Sequence, residues 1–294
     1  MSVIGIIGGT GVYNLELDDP SEVEVETPFG KPSDSITLGK LGGRDVAFIP
    51  RHGRYHQLLP HEINYRANIY ALKKMGVEQV ISTCMAGSLK KEIKPGQVVI
   101  PDQTIDLTKT RDSTFFGDGV AAYVDMSEPF CSSQSKYVAD TIAGMGIDVH
   151  KGGTYVCIEG PQFSTYAESD LYVMMGGDIV GMTALPEVKL AREAEMCYVS
   201  IVGISDYNVC GMTSSCMENM KGMRLLMKNM RSILSEVVLG LHVSTECSCS
   251  TALGRAIVTS GAGISSDTIL KLDSILGKYE IDTSSIGVHG SILK

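Results

Sequence analysis

The stretch Tyr198-Val199-Ser200-Ile201-Val202-Gly203-Ile204-Ser205-Asp206-Tyr207-Asn208 decides how this chain is read. Its first part is a nearly unbroken run of apolar and small residues, the pattern of a strand in a buried sheet. The run ends in an acid and an amide separated by one residue. Alternate side chains of an extended segment share a face, so Asp206 and Asn208 can address one planar polar ligand together. An amide offers a donor and an acceptor, whereas a carboxyl group offers an acceptor, or a donor when protonated. That combination suits the edge of a purine ring. A strand-end turn in which both side chains bond only local backbone has the same sequence pattern.

Outward from this strand, short β-branched runs alternate with longer helical patterns. Strands are expected at 3–7, 23–26, 35–41, 44–50, 79–84, 97–101, 153–158, 179–181 and 198–205. Helices are expected at 63–75, 134–145, 165–175, 184–195, 217–240 and 268–279. The alternation predicts an α/β layered fold with a mixed central β-sheet flanked by helices. Segment 23–50 differs: alternating Val and Glu, then Gly42-Gly43 between two strands, predict an antiparallel extension. No linker or internal repeat divides the chain, so residues 1–258 read as one domain. Residues 259–294, rich in Ser and Gly, read as a tail with one short helix and mobile ends.

The chain has 294 residues, 44% hydrophobic and 20% charged, with a net charge of −9. It is long enough to bury a full core. Its acidity and the lack of basic runs argue against nucleic acid as a partner. No apolar stretch approaches the roughly 18 residues that suggest a membrane span. The N-terminus lacks a basic n-region and runs into a glycine turn, so it reads as a core strand rather than a signal peptide, and a cytoplasmic location is expected. The eight cysteines are then expected to be mostly reduced core thiols. Cys247-Ser248-Cys249 is too tightly spaced for the usual zinc pairs, and no second pair is visible beside it, so no metal is expected.

Five segments could carry chemistry. Gly8-Gly9-Thr10-Gly11 follows a strand and can cradle an anion with backbone N–H groups and the Thr10 hydroxyl, or be a plain tight turn. It does not complete a dinucleotide fingerprint, because Gly9-x-Gly11 is followed by Asn14 where a third glycine is required. Arg51-His52-Gly53 offers a guanidinium fork and a ring donor suited to phosphate, or a solvated surface loop. Thr83-Cys84-Met85-Ala86 opens from a buried strand and could close an anion site with its amides. Gly160-Pro161-Gln162-Phe163-Ser164-Thr165 marks a turn in which Phe163 could stack on a ring and Ser164 touch it. In the same turn Thr165 and Glu168 fit a capping box. Thr183 is expected to open a helix, as an anion contact or an ordinary N-cap.

In this order the motifs resemble the 5′-methylthioadenosine phosphorylase branch of the purine nucleoside phosphorylases. They are Gly8-Gly9-Thr10-Gly11, Arg51-His52-Gly53, Ile158 to Ser164, Met182-Thr183 with Pro186-Glu187, and Ser205-Asp206-Tyr207. The resemblance covers roughly residues 1–255. It implies a trimeric α/β phosphorylase, as a homotrimer or a dimer of trimers, working in purine salvage with inorganic phosphate as co-substrate and no metal or organic cofactor. It places phosphate on Thr10, Arg51, His52, Cys84, Met85 and Thr183, with Cys84 and Met85 contributing mainly backbone. Met182 falls against the ribose. Phe163, Ser164, Asp206, Tyr207, Asn208 and Asn219 fall with the rest of the substrate, and Tyr123 where a neighbouring subunit reaches the 5′ end.

One departure bears on substrate choice. Members of that branch carry a second aspartate where this chain has Asn208. An amide can donate to O6 and accept from N7–H, so a 6-oxopurine nucleoside is the first expectation: inosine, guanosine or 5′-methylthioinosine. A 6-aminopurine preference is the alternative. Met212, Met217, Met220 and Met223 could line a methylthio pocket or simply be core. In the expected reaction phosphate lies beneath C1′, and Asp206 or Asn208 stabilises the leaving base near N7. An oxidoreductase using the first glycine turn and a non-catalytic nucleoside sensor are the other classes these residues permit.

Overall fold

The computed structural model describes residues 3–208, 216–242 and 247–279, with backbone only for 216–223 and 225. Eleven strands form one sheet. They are β1 (Ile4–Gly8), β2 (Asp18–Val23), β3 (Ile36–Leu41), β4 (Arg44–Pro50), β5 (Gln79–Ser88), β6 (Val98–Ile100), β7 (Gln103–Leu107), β8 (Val149–Lys151), β9 (Thr154–Ile158), β10 (Ile179–Gly181) and β11 (Cys197–Tyr207). The helices are α1 (Tyr65–Lys74), α2 (Ser132–Gly144), α3 (Tyr166–Met174), α4 (Glu187–Glu193), α5 (Cys216–Gly240), α6 (Ser266–Lys271) and α7 (Asp273–Leu276).

The centre is parallel: β4, β1, β5 and β11 run side by side in one direction. The expected α/β layered fold with a mixed sheet is therefore present. β5 is long enough to serve three neighbours. Its first half pairs with β1 and its second half with β10, while β11 follows it throughout. Side-chain alternation divides the core between the two faces of the sheet. Val80, Cys84, Tyr198 and Val202 join one cluster, with α1 and α4. Ile81, Val199 and Ile201 join the other, with α2 and α5.

The expected antiparallel extension is β2-β3-β4, but its first strand is Asp18–Val23 and not 23–26. Strands β7 and β8 were not expected. β7 carries the mostly polar string Gln103-Thr104-Ile105-Asp106-Leu107, and β8 has only three residues, so neither shows an apolar run. The capping box is present: Glu168 N donates to Thr165 Oγ1 at 3.2 Å, and Thr165 N to Glu168 Oε2 at 2.7 Å.

After α5 the chain returns to the core. Ile264, Leu272, Ile275 and Leu276 are buried in the first cluster. Thr268 Oγ1 donates to the Asp118 carbonyl at 2.9 Å. The helical piece expected at 268–279 is two short helices, α6 and α7, and the chain before them is packed: Ala121 N donates to Thr259 Oγ1 at 2.8 Å. Among the described residues no helix is long and apolar enough to cross a membrane.

Candidate active site

Loops at the C-terminal ends of parallel strands are where open α/β sheets place their ligands. Here the ends of β1, β4, β5, β9, β10 and β11 border one cavity of about 520 Å³. That is within the range of small-molecule sites. Its wall includes Thr10, His52, Cys84, Met85, Phe163, Met182, Thr183, Asp206 and Asn208, so nine of the expected residues are brought together.

The turn that leads from β1 to Thr10 is built from closely packed glycines. A Cβ on Gly9 would sit 2.2 Å from the Thr83 carbonyl oxygen and 2.7 Å from Arg51 Nη1, and one on Gly8 only 2.1 Å from the Val12 carbonyl oxygen. The turn is fastened by Gly9 N donating to Thr83 Oγ1 at 3.0 Å and Arg51 N donating to the Gly8 carbonyl at 2.8 Å. Thr10 is left exposed at its edge.

Arg51 is placed differently from expectation. Its side chain is fully buried and does not line the cavity. The fork clasps Glu187 instead, with Nε to Oε2 at 2.7 Å and Nη2 to Oε1 at 2.8 Å. Nη1 donates to the Thr83 carbonyl at 2.8 Å and Nη2 to Ser82 Oγ at 2.5 Å. Ser82 Oγ and Tyr198 Oη both donate to Glu187 Oε1, at 2.9 and 2.7 Å. A buried pair needs this full set of partners to offset its desolvation. Arg51 thus braces the glycine turn through Thr83. In sequence Glu187 stood out as part of the Pro186-Glu187 motif; nothing there shows that it meets a guanidinium 136 positions away.

His52 is buried, with Nδ1 2.8 Å from the Leu58 carbonyl and its ring stacked on His56, centroids 4.5 Å apart. A carbonyl only accepts, so Nδ1 carries the hydrogen and Nε2 of the neutral ring is an acceptor. Burial, aided by the nearby Arg51 charge and by His56, lowers its pKa to about 4. Near neutrality Nε2 of His52 therefore offers an acceptor, where the sequence reading expected a donor. Cys84 turns its thiol to Ser200, 3.6 Å away, and burial raises that thiol's pKa.

Thr183 does not open the helix: α4 begins at Glu187 with Pro186 as its cap. Thr183 and Met182 belong to the turn before it. That turn and the loop after β9 are clipped together by Arg111, which sequence reading missed. Its Nη1 donates to the Met182 and Leu185 carbonyls at 2.6 Å each, Nη2 to the Glu159 carbonyl at 2.7 Å, and Nε to Glu159 Oε1 at 2.9 Å. A lone arginine in a polar loop carries no sequence signal for this role.

At the other end of the cavity Asp206 and Asn208 lie opposite Gly87 of β5. A Cβ there would come 2.9 Å from Asn208 Cβ and 3.1 Å from Asp206 Oδ1, so glycine leaves the room both side chains occupy. A register shift at Ser205 bends β11 here, a common device for re-aiming side chains at sites. Asn208 Oδ1 accepts from Ser169 Oγ at 2.8 Å, and Ser169 is buried on α3. One lone pair of the amide oxygen is thereby engaged, and Nδ2 is a donor that the amide can offer a ligand. Ser169 was also missed. Phe163 is 83% exposed, at the rim.

Tyr207, on the opposite face from its neighbours, donates to the Lys91 carbonyl at 3.3 Å and does not line the cavity. Ser164 is half-buried and outside the lining. Tyr123 is 76% exposed and also away from the cavity. Asn219 lies on α5, but its side chain is outside the described residues, as are those of Met217, Met220 and Met223; Met212 is outside altogether.

The model of the phosphorylase superfamily matches residues 3–239 of this chain. The S-methyl-5′-thioadenosine phosphorylase of Koribacter versatilis is 47% identical over 280 residues, covering 94% of this chain and 96% of its own. That of Geobacter sulfurreducens is 46% identical, covering 94% and 99%. Among solved structures, a methylthioadenosine phosphorylase from an antarctic soil metagenomic library superposes with a TM-score of 0.87 at 41% identity, covering 94% of this chain and 99% of that one. The chain belongs to the phosphorylase superfamily and is a purine nucleoside phosphorylase, a pentosyltransferase.

Proposed function

We propose that the chain cleaves 5′-methylthioadenosine, or a close 6-aminopurine nucleoside, with inorganic phosphate, giving adenine and a ribose 1-phosphate. The observation that carries the base preference is the Ser169–Asn208 hydrogen bond. The major-groove edge of adenine presents a donor at N6 and an acceptor at N7, whereas guanine presents acceptors at both O6 and N7. With its oxygen held by Ser169, Asn208 donates to N7 while the Asp206 carboxylate accepts from N6. A 6-oxopurine would set O6 against that carboxylate. The first sequence expectation required Asn208 to accept from N7–H, and Ser169 already takes one lone pair of that oxygen and holds the amide's orientation. The 5′-methylthio group is supported by the names of the relatives.

The reaction then follows from placement. Phosphate sits at the glycine turn against Thr10 and Thr183, with one of its O–H groups donating to His52 Nε2. A phosphate oxygen bonds to C1′ as the C1′–N9 bond breaks, and the bonding pair passes to the purine. The proton that the phosphate carried passes through solvent to the purine, giving neutral adenine and the ribose 1-phosphate dianion. Asn208 Nδ2–H meets that growing charge at N7. A donor aimed at charge that develops only in the transition state is typically worth 10²–10³ in rate, on the order of 3–4 kcal/mol. Arg51 acts through the backbone it braces. Tyr123, exposed and off the cavity, suits a homotrimeric reading in which a second copy completes the 5′ end.

The test is kcat/KM for 5′-methylthioadenosine against 5′-methylthioinosine. A mispaired buried polar group costs about 1–3 kcal/mol, so the amino substrate should lead by roughly fivefold to over a hundredfold. A lead for the oxo substrate returns the 6-oxopurine reading to first place.

A further inference from the structure

Well away from the cavity lining, the fold assembles four cysteines that are scattered in sequence. Cys131, Cys197, Cys247 and Cys249 have sulfurs that all lie within 4.8 Å of one another, and the Cys197 and Cys247 sulfurs are 3.4 Å apart. We propose that they form a tetrahedral thiolate site for one soft divalent cation of the zinc class, which fastens the C-terminal segment to the catalytic core. The closely spaced Cys247-Ser248-Cys249 looked unaccompanied in sequence; the fold supplies the missing pair.

The dimensions fit a single ion. With zinc–sulfur bonds of about 2.3 Å, a regular tetrahedron puts its sulfurs about 3.8 Å apart. Ligand sulfurs of a multi-iron cube must stand farther apart. Three of the four cysteines are buried, so the site is closed as structural sites are. Each sulfur also lies near all of the others, which a tetrahedral ion requires and two separate disulfides do not.

Three distant parts of the chain supply the ligands. Cys131 is the N-cap of α2 with extended backbone; its side chain makes no capping bond, and its sulfur meets Ser133 Oγ at 3.4 Å beside the cluster. A helix N-terminus also favours a thiolate. Cys197 is the first residue of β11, and Cys131 N donates to the Tyr198 carbonyl at 2.9 Å, tying the start of α2 to β11. Cys247 and Cys249 come from the chain after α5. Outside the sulfurs, Arg192 Nη1 donates to Cys249 Sγ at 3.4 Å and sets a positive charge beside a group of thiolates. Such outer contacts orient ligands and stabilise their charge. Binding would release the thiol protons and needs no oxidant or reductant.

The experiment is metal analysis of the full chain, produced in zinc-supplemented medium and kept reduced, followed by cobalt substitution. The expected result is about one zinc ion per chain, as one four-ligand site requires. The Co(II) form should show the intense visible bands and thiolate charge-transfer absorption of a tetrahedral four-sulfur site. Cys249→Ser and Cys131→Ser should each lose most of that metal, and Cys157→Ala, outside the cluster, should keep it. If a variant fails to fold, the cobalt spectrum of the unmodified chain decides alone. A metal-free chain with no cobalt spectrum overturns the proposal, and so does peptide mapping that finds these cysteines paired as disulfides in the isolated protein.

Discussion

Asn208 illustrates how one neighbour can change a chemical reading. An amide in isolation is ambivalent, and the sequence alone allowed it to serve either purine edge. Ser169, 39 positions away on α3, removes the ambiguity by donating to Oδ1. Gly87 makes the arrangement possible, since any Cβ there would press on Asn208 and Asp206 together. Ser169→Ala should therefore weaken catalysis without touching the anion end. Loss of one hydrogen bond is worth about 0.5–1.5 kcal/mol, so kcat/KM for the nucleoside should fall by up to roughly tenfold. The KM for phosphate should not move; a parallel rise in it would mean that Ser169 supports the whole site rather than the amide. His52 makes the same point. Its residue type suggested a donor, and only the Leu58 carbonyl, which takes the Nδ1 hydrogen, shows that the free nitrogen accepts.

The strands and helices that build the site were legible where burial is continuous. β11 and β5 announce themselves because nearly every residue faces core on one side or the other. β7 escaped because its faces are only half-buried and its residues mostly polar. The α4 start was misplaced because Thr183 looks like a cap, whereas the turn from 182 to 186 is held by Arg111 from another loop. The largest miss is the tie between β4 and α4. Arg51 read as a phosphate fork, and nothing in the sequence signals that it also clasps Glu187. Glu187→Leu should leave a buried, unpaired guanidinium and destabilise the protein by about 3–5 kcal/mol. Denaturant titration measures this directly. A loss below about 1 kcal/mol, the scale of exposed pairs, would show that the pair contributes no more than a surface salt bridge.

The fold as a whole carries a pH dependence set by what it buries. In the folded chain His52 titrates at about 4, against an ordinary value of 6.5. The unfolded chain therefore takes up a proton that the folded one refuses. Stability from this source is complete above about 6.5 and falls as pH drops from there toward about 4. Midpoints of denaturation at pH 7.5 and 5 should differ less for His52→Gln than for the unaltered chain; equal differences would remove His52 as the cause. The C-terminal stretch shows the limit of composition as a guide. Its Ser and Gly content suggested mobile ends, while the apolar spacing of Ile269, Leu272, Ile275 and Leu276 suggested one amphipathic helix. Leu272, Ile275 and Leu276 are buried in the main core, and Ile264 joins them. A few apolar anchors outweigh many polar neighbours when the surface that receives them is already formed. The motif set, by contrast, was legible in order along the chain because each piece sits at a strand end, where glycines and small residues mark the backbone's approach to a ligand.

The pairing of one acceptor and one donor against a purine edge is tested most directly by Asp206→Asn. The substitution keeps the shape and turns the acceptor into a potential donor, so that both groups suit a 6-oxopurine. The ratio of kcat/KM for 5′-methylthioadenosine to that for 5′-methylthioinosine should fall by about 1–3 kcal/mol, roughly tenfold to a hundredfold. A ratio left unchanged, with both activities lowered alike, would contradict the assignment of Asp206 to the 6-position.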